Sequence, residues 1–144
     1  MSETGPSGGI LRSILAVFVG IVAGIVLSLG TDVVLHLAHV FPPWGASMVG
    51  YDGALLLATI YRTIYGVVGS YLAARLAPNR PMMHAIVLGI LGFAVSIFGA
   101  VATWNAGPAF GPHWYPVALV VLALPTAWLG GKFRETQLHP RGDM

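Results

Sequence analysis

The chain has 144 residues, of which 56% are hydrophobic and 8% charged. A water-soluble domain carries about 25% charged residues, so a surface mainly in contact with water is excluded. The net charge of +2 comes from dispersed basic residues without a run or stripe, which excludes a nucleic-acid-binding surface. The absence of cysteine excludes disulfides, thiolate metal sites and thiol catalysis.

Residues 1–9 are polar and rich in Gly, Ser and Pro, and read as a disordered N-terminal tail. Arg12 then precedes an uncharged run from Ser13 to Thr31, long enough for a membrane span of about 20 apolar residues. A cleaved signal peptide is the rival reading, but its apolar region would be shorter, and no convincing small-x-small cleavage site precedes Thr31 and Asp32. The first helix is therefore expected over about 11–40. Phe41–Pro42–Pro43–Trp44–Gly45 stops it, because proline lacks a backbone donor and pushes its predecessor out of the helical region.

A second helix is expected over about 52–77, with Arg62 inside it. Pro78–Asn79–Arg80–Pro81 is a tight turn, and a third helix follows over about 82–104. Asn105 to Pro112 forms a Gly/Pro loop before a fourth helix over about 113–131. Residues 133–144 read as a polar C-terminal tail. The expected fold is all-α: a polytopic four-transmembrane-helix bundle whose membrane domain spans 10–132.

Orientation follows from the basic residues. Arg12, Arg75, Arg80, Lys132, Arg134 and Arg141 all fall on one side of a four-span arrangement, and the two opposite loops contain no Lys or Arg. The positive-inside rule then predicts both termini and the middle turn in the cytoplasm. In size and composition the chain resembles small bacterial multi-pass membrane proteins, which implies the bacterial cytoplasmic (inner) membrane and transfers no functional residue.

Helix association in lipid relies on small residues that let backbones approach. Helix one carries Gly20, Gly24, Ser28, Asp32 and His36 at a spacing of four. Helix three carries Gly89, Gly92, Ser96, Gly99 and Thr103, and helix two carries Gly66, Gly69 and Ala73. These stripes predict the interior of a compact bundle. The connections Phe41–Pro42–Pro43–Trp44 and Phe110–Gly111–Pro112–His113–Trp114 resemble one another. A duplicated hairpin would explain that, but interface enrichment of aromatic residues explains it as well.

The chemistry concentrates at the loop side. Asp32 and Arg62 are the two full charges within the spans, and a charge at the bilayer centre costs about 2.5–3.5 kcal/mol on insertion scales. Opposite sign and similar depth on antiparallel helices predict an ion pair. His36 stands one turn from Asp32, and Asp52, His113 and Tyr65 complete the candidate cluster. Four readings compete: a structural tie, a proton or ion path, a metal site built from Asp32, His36, Asp52 and His113, and a cleft for a lipid headgroup or hydrophobic cofactor.

Enzymatic signatures are missing: the sequence holds no G-x-S-x-G and no P-loop. Ser28, Asp32 and His36 lie in one row on one helix and cannot converge on a substrate as a triad does. The sequence predicts a non-enzymatic structural, accessory or interaction module that needs no cofactor or metal. Its expected partners are the lipid bilayer and a homo-oligomer or larger membrane complex, with no nucleic acid. The rival is a small proton- or ion-coupled transporter using the Asp/His/Arg cluster.

Overall fold

The computed structural model describes residues 6–138. Helix α1 runs Pro6–Leu37, so residues 6–9 are helical where a disordered tail was expected; residues 1–5 lie outside the described part. At its other end α1 stops at Leu37 rather than near Val40. The cause is a two-bond helix stop: the Val40 amide donates to the Leu35 carbonyl at 2.9 Å and the His39 amide to the His36 carbonyl at 3.1 Å. His39 takes the left-handed conformation this needs, with φ of 62°.

Helix α2 covers Asp52–Leu76, with Asp52 in its first turn, where a carboxylate complements the helix N-terminus. Ala77 is extended, as expected of a residue preceding proline. Arg80 is left-handed at φ of 43°, and Pro81 opens helix α3, Pro81–Thr103. A short 3-10 turn, Pro108–Phe110, precedes helix α4, Trp114–Leu138. All four long helices are long and apolar enough to cross a membrane, and the described residues contain no strand.

Helix α4 runs beyond the expected end near 131, so 132–138 are helical rather than tail. Gly130 and Gly131, at the expected end of this helix, are mid-helix packing positions. A Cβ on Gly130 would collide with Ser70, the Tyr71 amide and the Val67 carbonyl, and one on Gly131 with Met82 and Ala85. The last turns are also held from outside, where the Tyr71 hydroxyl donates to Gln137 Oε1 at 2.6 Å. Residues 139–144, including Arg141, lie outside the described part.

Helix α2 is the hub and packs against the other three. Its Gly69 meets Gly20 of α1 so closely that a Cβ on either would strike the other's carbonyl oxygen. On another face its Gly66 meets Thr126 of α4, and Ser70 is fully buried against that helix. Gly89 of α3 faces Ala127 of α4. Small residues thus build three seams: α1–α2, α2–α4 and α3–α4. The α4 contribution, Thr126, Ala127, Gly130 and Gly131, extends the small-residue stripes read from the sequence.

Two expected packing positions are corrected. A Cβ on Gly92 or Gly99 would meet nothing within 4 Å. The reason is that α1 and α3 barely touch. Leu88 reaches Gly20, and His84 Nε2 lies 2.8 Å from Ser13 Oγ. Elsewhere an open groove separates the two helices, so the bundle is not closed as a compact one would be.

Candidate functional site

The α1–α2 seam ends at the loop side in a charged network. Asp32 lies five residues before the end of α1, about 7 Å by helical rise, and Arg62 ten residues into α2, about 15 Å. The long Arg62 side chain closes this difference by extending towards the loop end, as such side chains do near interfaces. One guanidinium nitrogen (Nη2) donates to Asp32 Oδ2 in an ion pair. The Tyr61 hydroxyl donates to Asp32 Oδ1. Both carboxylate oxygens are therefore occupied, and Asp32 is only 7% exposed.

Tyr61 was not among the residues of the cluster expected from the sequence. Successive helix residues point about 100° apart, so Tyr61 and Arg62 do not share a face. They reach one carboxylate because Asp32 sits between them on the facing helix. The Arg62 guanidinium carbon also lies 5.9 Å from the centre of the Tyr61 ring, within the range of cation–π attraction. The Nε atom of Arg62 is buried without a hydrogen-bond partner.

One turn deeper, the Tyr65 hydroxyl lies 2.8 Å from Thr31 Oγ1. Thr31 donates its own proton to the Leu27 carbonyl at 2.9 Å, so Tyr65 is the donor of the pair. Tyr65 thus supports the α1–α2 seam beside the ion pair rather than touching it.

The histidines go elsewhere. His36 Nδ1 donates to the main-chain carbonyl of Asp32 at 2.7 Å, not to the carboxylate of Asp32. Its ring stacks on Trp44 at 3.5 Å between centroids. The i to i+4 geometry brings His36 over that carbonyl, and Trp44 from the loop holds the ring there. His113 Nε2 lies 2.8 Å from the Trp104 carbonyl, and its ring stacks on Trp104. Asp52 accepts from Trp114 Nε1 at 3.2 Å. The expected cluster is therefore divided. Asp32, Arg62 and Tyr61 form its centre, while His36, His113 and Asp52 each fasten an aromatic side chain near the loop end. Among the described residues no three His, Cys, Asp or Glu side chains come together as metal ligands would.

The two loops cover this centre jointly. The Met48 amide donates to the Pro108 carbonyl at 2.8 Å, which joins loop to loop. Phe41 folds inward and packs with Ala58 and Tyr61, flanked by Met48, Tyr65 and Tyr115. Beneath the loops lies a cavity of about 390 Å³ lined by Asp32, Arg62, Trp44, Phe110 and Tyr115 among others. Arg62 also borders a cavity of about 240 Å³ between α2, α3 and α4, and one of about 420 Å³ along the α1–α3 groove. Arg62 thus lines all three spaces, and Asp32 lines the first.

Chemically, the network is a neutralised charge pair with a phenol attached. It ties α1 to α2 through both oxygens of one carboxylate. Compared with known proteins, the chain matches no family model, no curated protein and no solved structure.

Proposed function

We propose that this chain is a non-catalytic integral membrane protein, a structural, accessory or interaction module of the bacterial cytoplasmic membrane. The observation that carries this reading is that each Asp32 oxygen accepts a hydrogen bond from α2, Oδ1 from Tyr61 and Oδ2 from Arg62. Here the charge serves to lock α1 to α2.

The test is a double-mutant cycle. Breaking a buried pair by removing one partner costs about 3–5 kcal/mol, because the other charge is stranded. Asp32→Asn and Arg62→Gln should each lower thermal stability in detergent by that order, and the double variant by less than the sum. Proton flux into vesicles containing the purified protein should stay at the level of empty vesicles. Additive losses would oppose the structural tie.

A small proton- or ion-coupled transporter is the second reading. It is favoured by one observation, that Arg62 lines three cavities. Transport requires the Asp32–Arg62 pair to open and join those spaces. Proton flux that Asp32→Asn abolishes would establish this reading over the first.

The proposed orientation puts both termini and the α2–α3 turn in the cytoplasm. Among the described residues Arg12, Arg75, Arg80, Lys132 and Arg134 lie at that end, and the opposite loops hold no Lys or Arg. Reporter fusions after Asn79 should read as cytoplasmic, and those after Trp44 and Gly107 as external. A cytoplasmic signal at either loop would reverse the assignment.

A further inference from the structure

A further cavity, of about 700 Å³, lies at the end opposite the ion pair, between α1 and α3. Its floor is polar and tied. His84 is 6% exposed, with Nδ1 donating to the Arg80 carbonyl at 3.0 Å and Nε2 paired with Ser13. Its walls are apolar and open to the surrounding lipid, with Phe18 60% and Val87 41% exposed. Its mouth carries the exposed cation Arg80.

The length of this groove is informative. From Arg80 to Leu91 along α3 is eleven residues, about 16 Å by helical rise. Half of a bilayer's hydrocarbon core is about 15 Å. The groove therefore runs from the headgroup level of one leaflet to the midplane, cation at one end and apolar walls beyond. At this end of the molecule the basic residues Arg12, Arg75, Arg80, Lys132 and Arg134 outnumber the single described acid, Glu135, and of these Arg80 is the one that lines the groove.

We propose that this groove is a binding site for one anionic phospholipid, with its phosphate at Arg80 and an acyl chain laid between α1 and α3 as far as Leu91. The lipid completes the bundle where the two helices fail to meet. Basic pockets between membrane helices favour anionic headgroups by charge, and the groove selects for position by its depth. The site is remote from Asp32 and Arg62, so it stands or falls independently of the role assigned to that pair.

The experiment uses the full chain, extracted from vesicles of equal phosphatidylglycerol and phosphatidylcholine with matched acyl chains. Lipid retained by the protein is read by native mass spectrometry. Wild type should retain phosphatidylglycerol in preference to phosphatidylcholine. Arg80→Asn should lower that retention about five-fold, the factor for one cation near an anionic lipid surface, and Arg134→Asn should leave it unchanged. Asparagine tolerates the left-handed backbone of position 80, so the variant should melt no lower than wild type and the loss cannot be laid to unfolding. Val87→Trp, which fills the groove and leaves its mouth intact, should also remove the bound lipid. Equal retention of both lipids by wild type would overturn the proposal, as would equal losses in the two arginine variants. A dimer that Val87→Trp dissolves would assign the groove to a second copy of the chain instead.

Discussion

Helix α1 presents small residues along most of its length, yet its two neighbours treat it differently. Against α2 it forms a closed seam: Gly20 touches Gly69, Ala16 and Ala73 are buried, and the Asp32–Arg62–Tyr61 network fastens the loop end. Against α3 it leaves a groove, although α3 is equally dotted with glycine. The difference lies in what stands opposite. A glycine allows close approach where the residue opposite is also small. Helix α2 places Gly69 and Ala73 against Gly20, whereas α3 places Leu88 there.

Glycine replacement should separate the two regions most strongly. In Gly20→Leu the new side chain would strike the Gly69 carbonyl and Leu88, and overpacking of this kind costs about 1–3 kcal/mol. In Gly92→Leu the side chain enters open space, and leucine is favourable in lipid. Thermal unfolding in detergent should show a clear loss for the first variant and almost none for the second. A matching loss at Gly92 would mean that α1 and α3 close together in the membrane, and the groove would not exist as described.

The same comparison marks how far the sequence is legible. The spans follow from unbroken apolar length, and the Asp32–Arg62 pair follows from opposite charges at similar depth, because a membrane leaves an isolated charge few alternatives. Which stripe meets which is not legible. Gly92 and Gly20 have the same local signature, and only the tertiary arrangement shows open space beside one and close contacts around the other. Gly130 and Gly131 were ambiguous for a related reason, since glycine marks both helix ends and close contacts. The stop after Leu37 was hidden because the left-handed position is filled by His39 rather than glycine. Helical periodicity sets Tyr61 about 100° from Arg62, so it does not group the two at one carboxylate.

The smallest contrast lies within the seam itself and tests how its hydroxyl bonds divide the work. Tyr61 and Tyr65 are one turn apart on α2, and both donate across to α1. Tyr61 serves a buried carboxylate, and hydrogen bonds to charged groups contribute about 1.5–3 kcal/mol. Tyr65 serves Thr31, whose hydroxyl proton is already placed on the Leu27 carbonyl. Tyr61→Phe leaves Asp32 Oδ1 without its donor in a buried setting. Tyr65→Phe removes an interaction between neutral groups and leaves no donor stranded, so its cost should be near the average of about 0.6 kcal/mol for hydrogen bonds between membrane helices. Unfolding measured side by side should therefore rank Tyr61→Phe above Tyr65→Phe, with Tyr65→Phe close to wild type. The reverse order would mean that Arg62 alone satisfies Asp32, and that the register of α1 on α2 is held at Thr31 rather than at the ion pair.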